Sequence, residues 1–356
     1  MSPGPLDRDD LRERVQKALA AFLSGQAARL DVVSEDLGPV QDALAAFLLD
    51  GGKRLRPAFA YWGYRGAGGG DCDEAVSAAG CLELLQACAL VHDDVMDGSD
   101  TRRGQPAMHR RFASLHRGSG WRGDSEEFGL SAAVLLGDLC LIWADEMLNT
   151  SGMAPDALRR AQPVYDEMRV ELMAGQYLDL LEQALGGGTV ESALRVARYK
   201  SAKYTVEKPL HMGAVLAGAG QDVLDGYSGY GLPLGEAFQL RDDVLGVFGD
   251  PGQTGKPAGD DLREGKRTAL VAMALEAASP AQHAVVRRHL GDPHLSEDGV
   301  AQLREVLRST GALERVERLI DELMDDALTA LRSAPVGDEA REVLEQLAVA
   351  ATARTA

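Results

Sequence analysis

LELLQACALVHDDVMDGSDTRR, residues 82 to 103, is the stretch that decides how the chain is read. As far as Met96 it has the composition of one apolar helix, and three carboxylates, Asp93, Asp94 and Asp97, gather at its end. Acids at i and i+4 share a helix face about 6 Å apart along the axis, so Asp93 and Asp97 point one way with Asp94 beside them. Like charges that close repel, and the negative end of the helix dipole disfavours them further. Something positive has to neutralise the cluster. An open, oxygen-only set of two or three carboxylates suits magnesium carrying substrate phosphates better than a closed calcium cage. Arg102 and Arg103 follow, and arginine binds phosphate oxygens through a planar fork of donors. Taken alone, the motif reads more readily as a solvated acidic helix end with a surface ion pair beside it, because short acidic motifs recur by chance.

Working outward, the same helical spacing recurs. Leu11, Val15, Leu19, Phe22 and Leu23 predict a first helix, and Val40, Leu44, Phe47 and Leu48 a second that ends at Gly51-Gly52. Lys53, Arg54, Leu55, Arg56 and Pro57 open another, with the proline tolerated in its first turn; the three cations read equally well as surface charges. Gly66 to Gly70 is a loop, and the polar run from Ser114 to Phe128 reads as a long excursion or mobile loop. Helical periodicity returns over Ala132–Leu148, interrupted by Gly137-Asp138, then over Val164–Leu185 with Gly175, Gln176 and Asp179, and over Val190–Leu216. Gln176 and Asp179 are one turn apart, a satisfied polar pair or a ligand pair. Gly226–Val247 holds another acid pair, Asp242 and Asp243, on an apolar helix. Beyond Ser279 the helices are amphipathic, and the acids of Met324–Asp326 sit on a charged, solvated face. No run is bounded like a hairpin, so β structure is expected to be minor. No fixed-period repeat or low-complexity linker appears, and the expectation is an all-α single domain over residues 9–350, with a loose tail at 1–8 and a frayed end at 351–356.

Composition narrows the function. The chain has 356 residues, 45% hydrophobic and 26% charged, and its net charge of -18 argues against nucleic acid and anionic membrane surfaces as partners. Cys72, Cys81, Cys88 and Cys140 lack paired metal-type spacing and read as reduced thiols in a cytoplasmic protein. No apolar run is expected to span a bilayer.

Two acid pairs on apolar helices, together with GGKRLRP at 51–57, RRG at 102–104 and the GKPAGDDLREGKRT loop at 255–268, form a specific set. Their order resembles the trans-prenyltransferases, or isoprenyl diphosphate synthases, of the polyprenyl synthetase family, over roughly residues 35–275. The resemblance implies a bundle of antiparallel helices around a deep cavity, usually paired as a homodimer, whose two acidic motifs hold three magnesium ions on an allylic diphosphate. It implies Asp93 and Asp97 as ligands of the first motif and Asp242 of the second, supported by Asp94 and Asp243. Lys53, Arg56, Gln86 and Arg103 match the isopentenyl diphosphate site. Arg102, Lys203, Gln239 and Lys256 match clamps on the allylic diphosphate, with Lys266 a further candidate on the loop and Thr205 a hydroxyl near the developing cation. Gly246 stands where many members have a third aspartate, although DDxxG forms occur among bacterial members. Tyr204 separates Lys203 from Thr205, where many members have lysine and threonine adjacent.

The implied reaction is magnesium-assisted ionisation of an allylic diphosphate (dimethylallyl, geranyl or farnesyl), attack by isopentenyl diphosphate, and proton loss. It needs no side-chain nucleophile, and none is arranged. His92 points about 100° away from Asp93 on the helix and reads as structural. Cys88 and Ala89, one turn below Asp93, are too small to stop a growing tail. Leu85 and Leu82, about 12 Å and 16 Å down the helix, are the expected floor. In the family, bulk one turn before the motif goes with shorter products, so geranylgeranyl diphosphate is the expected product, with longer chains open. Phenylalanine at Cys88 or Ala89 is expected to shorten it. The rivals are a terpene cyclase, against which GGKRLRP and RRG argue, and a non-catalytic subunit of a heteromeric synthase, against which the retained acids argue.

Overall fold

The structure, a computed structural model, describes residues 8–186, 188–249 and 259–352. The expected class is observed. Sixteen α-helices and one π-helix account for most of the described residues, and strand pairing among them is confined to one hairpin. The chain falls into two compact units, the first holding the chain up to Ala161 with Gly213–Gly218, the second holding Gln162–Met212 and the chain from Ala219 onward.

In the first unit, α1 (Leu11–Val33), α2 (Gly38–Leu49) and α3 (Leu55–Gly66) surround α4 (Asp73–Met96), and α5 (Met108–Ser119) and α6 (Ser125–Asn149) complete it. Helix α4 is apolar almost all round, which is the pattern of a helix enclosed by others. Leu82, Leu84, Leu85, Cys88 and Val91 are fully buried. Small residues let the helices close on one another. A Cβ on Gly80 would strike the Met147 Cε at 2.7 Å, and one on Gly137 would strike the His92 ring, so the Gly137-Asp138 break in α6 is the seat of His92. Contrary to expectation, α4 and α6 are each long and apolar enough to span a bilayer, but α4 buries most of that surface inside the protein.

Two sequence expectations fail here. The Ser114–Phe128 run is not an excursion: α5 continues to Ser119, Gly120 ends it at φ 63°, and Asp124 caps α6 by accepting from the Glu126 and Glu127 amides at 2.8 and 2.9 Å. Polarity on that run is a solvated face carrying the Arg110–Glu126 and Arg117–Glu126 ion pairs, closed at one end by His116, Trp121 and Phe128 ring on ring. The helix predicted to begin at Val164 begins at Pro155, with Pro163 inside it. Packing there overrides the single lost amide donor. At the ends, Arg8 already belongs to a short 3-10 turn, and the last helix runs to Thr352 because Leu344, Leu347, Ala348 and Ala351 keep burying one stripe; residues 1–7 and 353–356 lie outside the described residues.

The second unit takes up α7 (Pro155–Leu185) from Gln162 and contains α8 (Val190–Val196), the π-helix Ala197–Glu207, the start of α9 (Lys208–Ala217) and α10 (Gln221–Phe248). After these come α11 (Asp260–Glu264), α12 (Ala269–Ala277), α13 (Pro280–His289), α14 (Glu297–Ser309), α15 (Ala312–Ser333) and α16 (Asp338–Thr352). Helix α10 is its spine. It packs on the π-helix and on α15, to which the Arg241 guanidinium is tied by two 2.7 Å bonds to the Glu317 carboxylate. Asp325 and Asp326 are exposed on α15, as the solvated reading requires.

Candidate active site

The first acidic motif closes α4. Asp93 and Asp97 lie on its partly accessible stripe with Gln86, Ala89 and Leu90, spaced i, i+3, i+4, i+7 and i+11. Asp94 turns inward and is fully buried. Its counter-charge is Arg102, whose Nε donates to Asp94 Oδ1 at 2.8 Å while its Nη2 reaches both Asp94 and, at 3.4 Å, Asp93 Oδ2. Asp94 is thus the buried member and the main partner of Arg102, which also reaches Asp93, while Asp93 and Asp97 share the partly accessible stripe.

What puts Arg102 there is a hairpin. Strands β1 (Thr101–Arg102) and β2 (Gln105–Pro106) pair antiparallel, Arg102 opposite Gln105, leaving Arg103-Gly104 as the two-residue turn. Both turn residues have positive φ, 53° and 74°, as a type I′ turn demands, and glycine meets that demand at the second position. The turn sends the two arginines apart. While Arg102 goes to the acids, Arg103 goes to the GGKRLRP segment: its guanidinium stands 5.7 Å over the Phe47 ring, donates to Phe47 O at 3.5 Å, and lies 3.7 Å from where a Gly52 Cβ would be. Loss of solvent lowers the Arg103 pKa; the Glu83 carboxylate opposes this, and the cations Arg54, Arg102 and Arg56 add to the lowering. Two motifs far apart in sequence are therefore brought together with α4.

Within 53–56 the side chains divide. Lys53 is exposed and Arg56 half-buried, but Arg54 is 5% exposed and bonded to Glu83, so the surface-cation reading fails for it. Gln86, one turn beyond Glu83, is half-buried, and its amide oxygen is enclosed with no hydrogen-bond partner. His92 is held by α6: its Nε2 lies 3.1 Å from Val134 O and 3.7 Å from Asp138 Oδ1. Cys88 is fully buried 3.8 Å from the His92 Nδ1, and burial pushes its thiol up to about 12, so it stays protonated. Ala89 belongs to the accessible stripe and Cys88 does not, while Leu82 and Leu85 are fully buried.

The second unit holds the other candidates. On α10, Gln239 Nε2 donates to Asp243 Oδ1 at 2.7 Å; Asp242 is half-buried, and Asp243 is 7% exposed. Burial pushes the Asp243 carboxyl well above the usual carboxylate range, the negative charges of Asp261 and Asp242 push it further, and the Gln239 bond and Lys266 pull it back. A Cβ at Gly246 would collide with the carboxylate of Asp261, so another acid lies where the missing third aspartate would begin. Lys266 Nζ is 2.7 Å from Glu264 Oε2 and 3.6 Å from Asp261 Oδ1. Lys256 lies outside the described residues.

Lys203 and Thr205 belong to the π-helix, a wider turn that is frequent at functional sites. Lys203 pairs with Glu171 and lies 5.2 Å over the Tyr199 ring, whereas Thr205 is 1% exposed. The sequence reading missed Lys200, whose Nζ donates to Asp179 at 2.6 Å. The signal was Gly175, where a Cβ would strike the Lys200 backbone: the glycine lets α7 close on the π-helix and brings Asp179 to a lysine rather than to Gln176 alone.

Magnesium keeps several waters and takes one or two protein carboxylates together with substrate phosphates. The oxygen-only pair Asp93 and Asp97 fits that demand, as does the Asp242–Asp243 pair.

Known proteins agree with these features. The polyprenyl synthetase family model matches residues 39–307. A geranylfarnesyl diphosphate synthase from Aeropyrum pernix is 33% identical over 305 residues, covering 83% of this chain and 88% of that protein. A geranylgeranyl diphosphate synthase from Mycobacterium tuberculosis is 32% identical over 286 residues, 80% of this chain and 75% of the other. Among solved structures, the geranylgeranyl pyrophosphate synthase of Corynebacterium glutamicum, complexed with isoprenyl diphosphate and magnesium, superposes with a TM-score of 0.94 at 42% identity, covering 98% of this chain and 99% of that one. The chain belongs to the polyprenyl synthetase family and is a prenyltransferase of the isoprenyl diphosphate synthase class.

Proposed function

We propose that the chain condenses isopentenyl diphosphate head to tail with an allylic diphosphate and releases geranylgeranyl diphosphate. The observation that carries this reading is the gathering of the Lys53–Arg56 segment, Gln86 and Arg103 beside the α4 stripe that ends in Asp93 and Asp97. A terpene cyclase has no use for such a second cationic site. The relatives' named products run from geranylgeranyl and geranylfarnesyl to octaprenyl diphosphate, so the choice of geranylgeranyl diphosphate rests on the small Ala89 one turn below Asp93.

In this reading Lys53, Arg56 and Arg103 bind the isopentenyl diphosphate, with the Gln86 amide beside them. Lys203, Gln239, Lys256, Lys266 and Arg102 hold the allylic diphosphate and stabilise charge gathering on it as the carbon–oxygen bond breaks. Magnesium, three ions by the family pattern, would be held by Asp93, Asp97 and Asp242 with Asp94 and Asp243 in support, and would draw electron density from the diphosphate. The isopentenyl double bond attacks the allylic carbon, and the proton lost from the new chain goes to the departing diphosphate. Thr205 stands near the developing cation in the family pattern. Ala89 on the accessible stripe, with Leu85 and Leu82 buried below it, gives this side of α4 the apolar character that would keep water from the cation.

A homodimer in a reducing cytoplasm is part of the same proposal. Supporting the dimer, α6 leaves Leu130, Val134, Leu135 and Ile142 between 41% and 67% exposed. The four cysteines are free thiols.

Incubating the protein with isopentenyl and dimethylallyl, geranyl or farnesyl diphosphate and magnesium, with products identified by mass, tests the reading. Geranylgeranyl diphosphate supports it, and longer products would move only the chain length. A cyclic hydrocarbon from geranylgeranyl diphosphate alone would make it a cyclase, and no turnover a non-catalytic subunit.

A further inference from the structure

The basic segment before α3 has one member that faces inward. Arg54 adopts a left-handed backbone conformation, φ 54° and ψ 35°, which arginine visits only at a cost. Its guanidinium donates to Glu83 on α4, to Gln16 Oε1 on α1 at 2.8 Å and to Leu48 O at the end of α2 at 2.6 Å. Arg54 and Glu83 are 5% and 6% exposed. Gly52 lies over this knot, its missing Cβ 3.3 Å from Arg54 Nη1 and 3.7 Å from Arg103 Nη2. Strain held by three bonds to three helices marks a conformation that the surroundings impose.

We infer that the buried Arg54–Glu83 pair is a strut that shapes the isopentenyl diphosphate pocket, with both residues acting as positioning residues rather than ligands. The inference rests on the condensation reading. Arg54 pins the loop to α1, α2 and α4, and so fixes the stretch of backbone from which Lys53 and Arg56 project on either side of it. Glu83 supplies the negative charge beside Arg54 and Arg103, and this keeps the cations gathered before a diphosphate arrives. The loss of solvent and the neighbouring arginines that weigh on Arg103, against the pull of Glu83, accord with this arrangement.

Removing Arg54 alone would leave Glu83 buried and charged, so the informative variant is Arg54→Met/Glu83→Met, which removes both charges together. Its KM for isopentenyl diphosphate is expected to rise about tenfold, with kcat and the allylic KM within about twofold of the parent, and calorimetry should show isopentenyl diphosphate binding weakened to match. A folded double variant with an unchanged isopentenyl KM overturns the strut, and so does an equal rise in both KM values, which is general damage. Should the double variant not fold, Glu83→Gln, which keeps volume and an acceptor while removing charge, decides by the same comparison. A parent that turns over none of these substrates would instead refute the condensation reading, and this inference with it.

Discussion

The Asp261 carboxylate occupies the space that a side chain at Gly246 would enter: a Cβ built there collides with both its Oδ2 and its Cγ. Glycine at the end of the second acidic motif is therefore a packing requirement of this chain. Gly246→Ala should destabilise by about 1–3 kcal/mol through overpacking, and Gly246→Asp by at least as much. Adding Asp261→Gly to Gly246→Asp should recover most of the loss. Thermal melting of the three variants checks this, and a Gly246→Ala protein melting with the parent would show that Asp261 is not seated there.

Asp93 and Asp97, on the partly accessible stripe, and the fully buried Asp94 should fail differently. Asp93→Asn and Asp97→Asn are expected to lower kcat at least about 100-fold with little change in melting temperature, since neither is fully buried. Asp94→Asn should cost stability as well, because it leaves Arg102 without its main counter-charge. Chelator should abolish turnover, and added magnesium should restore it. Comparing kcat with melting curves across the series separates the roles; equal loss of both in all three variants would contradict the assignment.

Periodicity made the apolar helices legible, the i, i+4 spacing of Asp93 and Asp97 marked the first acidic motif, and the recurrence of an acid pair on a second apolar helix marked Asp242 and Asp243. What stayed hidden depends on contacts far apart in sequence. Nothing in KRLR tells which cation turns inward, because Arg54 is chosen by Glu83, Gln16 and Leu48, which converge on it only in the fold. The π-helix has no composition signature, so the pairing of Lys200 with Asp179 was invisible. The 114–128 run misled because polarity was read as loop, when Arg117 and Glu126 sit on the facing ends of α5 and α6 and pair across them, with Arg110 joining from α5.

Positions 88 and 89, alike in sequence, separate in the structure. Ala89→Phe places bulk on the stripe that carries Asp93 and should shorten the main product by at least one five-carbon unit, with melting little changed. Cys88→Phe must fit beside His92 in the α4–α6 contact, so a stability loss of about 1–3 kcal/mol is expected to accompany any change in product. Product masses and melting curves of the two variants decide it. An unchanged product ladder from Ala89→Phe would mean that the tail does not pass this side of α4.

His211 gives a pH signature in the second unit. Its Nε2 lies 3.0 Å from Leu224 O and 3.0 Å from Ser228 Oγ, and Ser228 donates on to Glu207 Oε1 at 2.8 Å. Burial holds its pKa below the ordinary 6.5; Glu207 opposes this, and Lys208 reinforces it. Between the depressed folded pKa and 6.5 the unfolded chain binds the extra proton, so this residue's contribution is fully present above 6.5 and drains away as pH falls below it. His211→Gln should therefore flatten the fall of melting temperature between about pH 7 and pH 5. If the variant and the parent lose stability in parallel over that range, the imidazole is not the group responsible, and acid sensitivity there must come from the carboxylates.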